Sequence, residues 1–151
     1  MLNAVDAMSG RGSLSVIIRR TTRAELQAGG RRSKDGHTVH PPNARTLQWL
    51  RSGGVLGDDV VMVIISDSGP GILVEDAERI FEPFYTTKEP GKGTGLGLAI
   101  VARAIDNLGG TIWVTRARGG GAAFRILVPV LAVDSRSSQP RALPSVQDLA
   151  L

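Results

Sequence analysis

Apolar runs along the chain predict four β-strands. Residues 13–20 (SLSVIIRR) and 59–66 (DVVMVIIS) are rich in Val and Ile, and the second run is apolar enough to predict burial on both faces. Residues 111–118 and 122–130 flank three consecutive glycines, which predicts a closing hairpin. Pro129 indicates that the last strand lies at a sheet edge or ends there.

Helical spacing appears in three further segments. Residues 1–8 carry apolar side chains at three-residue intervals, which predicts the last two turns of a helix. Residues 74–81 predict a short helix with acidic residues in its first turn. Residues 96–108 predict a longer helix, which Gly109 and Gly110 end with a left-handed cap.

The first two predicted strands are separated by residues 21–57, which are rich in Gly, Arg, Pro and Ser. We expect a long, partly disordered hairpin insertion in which residues 47–50 form one helical turn. Ser, Pro, Gln and Arg predominate at the end of the chain and predict a disordered tail. The expected organisation is therefore one domain, residues 1–131, with this insertion, followed by a tail at 132–151.

Composition limits the classes of protein that fit. The chain has 151 residues, 42% of them hydrophobic but only 4% aromatic, which suits one domain with an aliphatic core. The absence of cysteine excludes disulfides and thiolate sites. The net charge is +4, but aromatics are not interleaved with the basic residues, so no nucleic-acid partner is expected. No apolar run approaches the ~20 residues of a membrane helix, so we expect no membrane contact and a cytoplasmic location.

Asp67 follows directly on the apolar strand and begins the turn DSGPG. A carboxylate is thereby placed at a strand end, where a ligand can reach it, and Gly69 and Gly71 allow the backbone to turn beside it. Such a turn is by itself more often only structural. Its neighbours in the sequence decide whether it binds a ligand.

A glycine-rich loop, residues 91–97 (GKGTGLG), leads into the helix predicted from residue 96. The free N–H groups and the positive dipole end of that helix form an anion site, and the glycines allow phosphate oxygens to approach closely. The segment lacks the ending of a Walker loop and the preceding strand of a dinucleotide-binding fold. We therefore predict a phosphate-binding loop of another type.

The segment FEPFYTTK, residues 81–88, stands just before this loop. Phe81 and Phe84 are interpreted as core residues that anchor one end of a mobile flap, with no direct chemical role. Lys88 or Lys92 could reach phosphates when the flap closes, although a solvated surface lysine is a comparable alternative.

Four blocks in this order resemble the ATP-binding domain of bacterial sensor histidine kinases. They are NAVDAM (residues 3–8) as the N box, DSGPGI (67–72) and GTGLGLAI (93–100) as the two glycine boxes, and FEPFYTTK (81–88) as the F box. The resemblance extends from Asn3 to Pro129, apart from the insertion. The F box and its short lid are similar to those of the nitrogen-sensing and related oxygen-sensing subgroup.

The resemblance implies a site for ATP and Mg²⁺. In the family, the aspartate matching Asp67 accepts a hydrogen bond from the adenine amino group, the asparagine matching Asn3 helps to hold Mg²⁺, and the second glycine box lines the phosphates. The implied binding residues are Asn3, Asp67, Gly69, Gly71, Thr87, Lys88, Gly93, Thr94, Gly95, Leu96 and Gly97, with Asn3 also the metal ligand. No catalytic residue is assigned.

The implied fold is of the Bergerat type: an α/β two-layer sandwich of a mixed β-sheet with helices on one face, here incomplete at the N-terminus. The implied enzyme is a protein-histidine kinase that donates the ATP γ-phosphate to a histidine on a dimerisation domain absent from this chain. A response regulator is the implied partner, and a homodimer would form only through the missing domain. We expect the isolated chain not to phosphorylate itself.

Two alternatives stay open. Another ATPase of the same fold, such as a gyrase, mismatch-repair or heat-shock ATPase, would use a water-activating glutamate just upstream of the N-box asparagine, a position that precedes Met1. A truncated nucleotide-binding or interaction module without kinase activity is the second. Asp6 also stands where some kinases carry a basic residue, so no further phosphate contact from this helix is expected.

The two histidines of the chain, His37 and His40, both lie in the insertion. Neither has the helical His-Glu/Asp context of a phospho-acceptor, and no third metal ligand is close in sequence. We therefore interpret both as exposed loop residues and expect no metal beyond the Mg²⁺ that accompanies ATP.

Overall fold

The computed structural model describes residues 2–28, 43–52, 58–89, 91, 93–117 and 119–130, without the side chains of Leu2, Asn3 and Ala28. Its elements are α1 (Leu2–Ala7), β1 (Leu14–Thr22), α2 (Arg23–Ala28), α3 (Ala44–Arg51), β2 (Asp59–Asp67), α4 (Gly97–Asn107), β3 (Thr111–Arg116) and β4 (Ala122–Pro129). All four predicted strands are confirmed, as are the helices at the first and last predicted positions. Within the described residues no helix has the length and apolarity needed to cross a membrane.

The four described strands form one antiparallel sheet in the order β1-β2-β4-β3. β1 pairs with β2, and β3 with β4, so the closing hairpin is confirmed. β2 and β3 run in the same direction, but β4 lies between them, so these strands form no parallel pair where we expected a mixed sheet. β4 is therefore an inner strand of the described sheet, and it ends at Pro129. The expected α/β class, a β-sheet with helices packed against it, is confirmed.

One face of the sheet packs against α2 and α3. The core cluster consists of Leu50 from α3 with Met62, Ile64, Trp113 and Leu127 from the strands, and Leu26 of α2 packs against it. Asn43 caps α3 by accepting a hydrogen bond from the Thr46 N–H at 2.9 Å. Residues 47–50 therefore belong to an eight-residue helix rather than to a single turn. The rest of the insertion, with its expected disorder, lies outside the described residues.

α3 also forms a hydrogen bond and an ion pair with the C-terminal end of α4 and the turn that follows it. The Trp49 indole N–H donates to the Gly109 carbonyl at 2.6 Å, and Arg45 forms an ion pair with Asp106. The Arg23 guanidinium lies over the Trp49 ring, 3.8 Å from its centroid. Burial lowers the pKa of Arg23. The insertion thus supplies part of the core and holds the far end of α4.

The opposite face of the sheet carries Phe124, whose ring meets that of Phe81 edge-on with centroids 6.5 Å apart. α4 packs against the Arg79–Phe81 segment and against β3. Helical segments therefore lie on both faces, whereas we expected them on one. The difference arises because the insertion, which we expected to be mostly irregular, contributes two amphipathic helices.

Residues 74–81 do not form the single helix that we predicted. Two 3₁₀ turns, Val74–Asp76 and Arg79–Phe81, take its place, and neither has a side-chain cap. Val74 is 91% exposed, so no continuous apolar stripe holds this segment as an α-helix. Instead, the Tyr85 hydroxyl donates to Asp76, and the Arg79 guanidinium lies 4.5 Å from the centre of the Tyr85 ring.

Candidate functional site

Asp67 is the last residue of β2, and only 9% of it is exposed. Its Oδ1 accepts hydrogen bonds from two backbone N–H groups, that of Gly69 at 3.0 Å and that of Ala122 at 3.1 Å. Oδ2 accepts no hydrogen bond from the part of the chain that the structure describes. The carboxylate is therefore held by one oxygen, and the other is left as an acceptor for a ligand.

The turn after Asp67 packs against α1 and the start of β1. A Cβ added to Gly69 would lie 3.4 Å from the Ala7 Cβ. Ser68 Oγ accepts a hydrogen bond from the Ser13 N–H at 2.9 Å, which ties the turn to β1. Asn3 lies in the first turn of α1, but its side chain is not described, so its role as a Mg²⁺ ligand stays a prediction.

Lys88, at the end of the F box, reaches back to α1. Its Nζ lies 2.7 Å from Asp6 Oδ2, although the two residues are 82 positions apart. Both side chains are substantially exposed, so the ion pair itself stabilises the fold by only about 0–1 kcal/mol. Its main effect is to place an ammonium group beside α1. We expected no further phosphate contact from this helix itself, and Lys88 places a cation beside it from another part of the chain.

The second glycine box packs against the F box. A Cβ on Gly93 would lie 3.1 Å from Thr86 Oγ1 and 3.2 Å from Lys88 Cδ. Gly95 has φ +64, and a Cβ there would lie 2.4 Å from the Phe84 carbonyl carbon. The Phe84 N–H also donates to the Gly95 carbonyl at 3.1 Å. Gly95 is therefore required both by its backbone conformation and by the close approach of the F box.

α4 begins at Gly97, directly after this loop. Thr94 Oγ1 accepts a hydrogen bond from the Leu96 N–H at 3.4 Å, and no side chain among the described residues caps the helix. The N–H groups of its first turn are therefore available for an anion, as the sequence predicts. Thr87 lies exposed in the F-box loop. Lys92, His37 and His40 lie outside the described residues.

Two residues near Asp67 were missed by sequence reasoning. Ala122 donates to the Asp67 carboxylate, and Gly121 packs on the Asp67 backbone. The available signal was the run of three glycines before β4, which we interpreted only as a hairpin turn. Gly71, which we did predict, contacts this same turn, since a Cβ on it would lie 2.9 Å from the Gly121 oxygen.

A metal ion at this site would have few protein ligands among the described residues. No group of three or more His, Asp or Glu that could hold a metal occurs in the described part of the chain. Asp6, a carboxylate of α1, is paired with Lys88. Mg²⁺ commonly takes only one or two protein ligands and completes its shell with phosphate oxygens and waters. A single amide oxygen from Asn3 would satisfy that requirement.

Comparison with protein families identifies the class. The family model described as histidine kinase-, DNA gyrase B-, and HSP90-like ATPase matches residues 1–132. The chain therefore belongs to this ATPase family. The ATP-binding fold that the four sequence blocks implied is confirmed.

Individual relatives narrow the class. Sensor kinase CckA of Brucella abortus (strain 2308) is 46% identical over 79 residues, which cover 52% of this chain and 8% of CckA. Sensor histidine kinase ZraS of Salmonella typhimurium is 47% identical over 76 residues, which cover 50% of this chain and 16% of ZraS. The resemblance to sensor histidine kinases is confirmed, and the family model covers this chain with an ATPase domain. The chain spans less than a fifth of the length of either relative.

Solved structures of the same class also match. The mycobacterial sensor histidine kinase MprB is 34% identical, with a TM-score of 0.42, over 46% of this chain and 48% of that one. The catalytic domain of histidine kinase ThkA is 44% identical, with a TM-score of 0.41, over 46% of this chain and 45% of that one.

Proposed function

We propose that this chain binds Mg-ATP and donates the γ-phosphate to a histidine on a separate dimerisation domain. The observation that carries the proposal is the convergence of the four sequence blocks at α1. Ala7 contacts the first glycine box at Gly69, and Asp6 is paired with Lys88 of the F box. Gly93 of the second glycine box packs on the stem of Lys88. Through α1, these contacts connect the turn that begins at Asp67, the proposed adenine-binding residue, to the proposed phosphate-binding loop.

Asp67 would recognise adenine. Its free Oδ2 can accept a hydrogen bond from the 6-amino group, while Oδ1 is held by two backbone donors. Because the carboxylate is fixed before the ligand arrives, little conformational freedom is lost when the base binds. The preference for adenine would thus arise because the Asp67 carboxylate oxygen accepts a hydrogen bond from the adenine amino group.

The phosphates would lie at the N-terminus of α4, where uncapped N–H groups can donate to their oxygens. Lys88 would add an ammonium donor. Bound Mg²⁺ supplies neutralisation of phosphate charge, with Asn3 as its proposed ligand. In the transfer, a nitrogen of the acceptor imidazole bonds to the γ-phosphorus. The bond from that phosphorus to the bridging oxygen breaks, and ADP keeps the electron pair. The contribution of this chain is positioning and electrostatic stabilisation, so no residue of it forms or breaks a bond.

Isothermal titration with Mg-ATP tests the site. Asp67→Asn should weaken binding by roughly tenfold to a hundredfold, since a hydrogen bond to a charged group contributes about 1.5–3 kcal/mol. Asp59→Asn is the matched control, because it makes the same change at the other end of β2. Undiminished binding by Asp67→Asn would contradict adenine recognition by this carboxylate. A parent chain that binds no nucleotide would contradict the whole proposal.

Phosphotransfer is separated from hydrolysis by following ADP. Without an acceptor domain the chain should release no ADP above the spontaneous rate, and adding the histidine-bearing domain should produce phosphohistidine on that domain. Sustained ADP release by the chain alone would favour another ATPase of this fold. Nucleotide binding with neither reaction would favour a binding module. Labelling of His37 or His40 would contradict the expectation that neither is an acceptor.

The remaining assignments follow from the same proposal. Similarity to proteins named sensor kinases supports a response regulator as partner and a cytoplasmic location. The division into a domain at 1–131, with an insertion at 21–57, and a tail at 132–151 is proposed on the sequence pattern. Membership of the nitrogen-sensing subgroup stays a prediction.

A further inference from the structure

The turn between β3 and β4 lies directly on Asp67. Gly121 has φ +72, and a Cβ on it would lie 2.0 Å from the Asp67 carbonyl oxygen and 2.8 Å from Oδ1. Atoms cannot approach so closely, so any side chain at this position would displace Asp67. The turn is itself closed by a hydrogen bond from the Ala117 N–H to the Gly121 carbonyl at 3.0 Å.

Ala122 joins this turn to the carboxylate. The residue is 3% exposed, and its N–H donates to Asp67 Oδ1 at 3.1 Å. A buried N–H without an acceptor costs about 1–3 kcal/mol, so this contact satisfies a strict requirement of the backbone. The other donor to Oδ1, Gly69, belongs to the turn of Asp67 itself. Ala122 is 55 positions away, so it links the carboxylate to a separate part of the sheet.

We propose that Gly121 and Ala122, where the β3–β4 turn enters β4, set the base specificity of the nucleotide site. Gly121 leaves room for the Asp67 carboxylate, and Ala122 holds its Oδ1, so that only Oδ2 faces the base. Gly121 and Ala122 are thus positioning residues that act through Asp67. This inference rests on the proposed function, because it requires Asp67 to recognise a base.

The consequence is a preference for a base with an exocyclic amino donor over one with a carbonyl oxygen at the same place. ATP and ITP differ at that position, where adenine carries an amino group and hypoxanthine an oxygen. With ITP, the Asp67 oxygen would face another acceptor, and both would remain unpaired. The phosphates and sugar are identical, so any effect on the phosphate loop changes both affinities alike.

The test compares Kd values for Mg-ATP and Mg-ITP in three glycine variants of the chain. Gly121→Ala should weaken ATP binding by about tenfold or more, since the hydrogen bond from adenine to a fixed Asp67 is lost. The ratio of the ITP Kd to the ATP Kd should therefore fall at least about fivefold. Gly120→Ala also places alanine at a positive φ, +94, but its Cβ would meet no atom nearer than 4.0 Å. Gly119→Ala has open space and no positive φ. Both controls should keep the parent ratio.

A second measurement covers the case in which Gly121→Ala does not fold. In the parent, the backbone amide proton of Ala122 should be shifted downfield, and it should move upfield in Asp67→Asn. The reference is the Val130 amide, which donates to the backbone carbonyl of Asp59 at the far end of β2, and its chemical shift should not change.

The outcomes separate this inference from the proposed function. Three outcomes would overturn the specificity inference alone. The first is an unchanged ratio of ITP to ATP Kd in folded Gly121→Ala, and the second is an equal fall of that ratio in Gly120→Ala. The third is an Ala122 amide whose chemical shift does not change in Asp67→Asn. A parent chain that binds neither nucleotide overturns the proposed function and this inference with it.

Discussion

The ammonium of Lys88 lies 2.7 Å from the carboxylate of Asp6 and thereby joins the F box to α1. In the sequence, these two blocks are related only by the ligand that both are expected to bind. The ion pair shows that they contact each other directly, with Gly93 packed on the lysine stem. Lys88 is therefore held beside α1 before nucleotide binds, but Asp6 partly neutralises its charge.

Removing the Asp6 charge should strengthen ATP binding. Asp6→Asn releases Lys88 and removes an anion from the vicinity of the phosphates, so Kd for Mg-ATP should fall by up to about fivefold, the range of an exposed ion pair. The gain should be smaller in a Lys88→Met background and at high salt. Asp106→Asn, which breaks the exposed ion pair with Arg45 instead, is the control and should leave Kd unchanged. Weaker ATP binding by Asp6→Asn would show that Asp6 helps the lysine to bind phosphate.

The two glycines that flank Leu96 should respond differently to alanine. Gly95→Ala forces a positive φ on an L-residue and a contact with Phe84, so it should lower both thermal stability and ATP affinity. At Gly97 a Cβ would meet nothing within 4 Å, and alanine should stabilise the fold by about 0.4–1 kcal/mol because it restricts the unfolded chain. Gly97→Ala should nevertheless weaken ATP binding, because the added methyl group would obstruct the close approach of phosphate to Gly97. Thermal melts with and without Mg-ATP measure both effects. Tighter ATP binding by Gly97→Ala would contradict a phosphate loop here.

A buried hydroxyl pair connects the insertion to the sheet and can be tested by a double-mutant cycle. Thr46 of α3 and Thr111 of β3 are 0% and 1% exposed, and their Oγ1 atoms lie 3.1 Å apart. Thr46→Val or Thr111→Val alone leaves one buried hydroxyl unpaired and should cost about 1–3 kcal/mol. The double variant should cost less than the sum, with a coupling of about 1 kcal/mol, measured by denaturant unfolding. Additive losses would show that α3 does not pack on β3 in solution.

Tyr85 gives a prediction for pH, because it is the single tyrosine of the chain. Its hydrogen bond to Asp76, together with burial and the Asp76 charge, raises the pKa of the phenol above its ordinary value of about 10. The folded state therefore favours the protonated phenol, and the stabilisation is present below pH ~10 and lost as pH rises through the raised pKa. Tyrosinate absorbance should show a midpoint above 10 that falls in Asp76→Asn. Glu75→Gln, a change at the neighbouring residue, should leave the midpoint in place.

Local features of the site could be predicted because each depends on residues that are adjacent in the chain. The apolar run before Asp67 predicts a carboxylate at a strand end, and the glycines before the last helix predict an anion site at its N-terminus. The hairpin at Gly119 to Gly121 and the four family blocks could be identified in the same way. These patterns were sufficient for the class of protein and for the identity of its ligand.

The contacts between those features depended on the tertiary structure. Lys88 meets Asp6, Ala122 holds Asp67, and α3 packs on β3 only because the strand order β1-β2-β4-β3 brings distant segments together. The insertion shows the same limit, since an eight-residue helix bordered by Gly- and Arg-rich sequence is stable mainly through the core that it covers. Spacing along the chain specifies which groups can bind a nucleotide. Which oxygen of Asp67 is held by the backbone depends on a buried N–H that is 55 residues away, and only the packed sheet places it there.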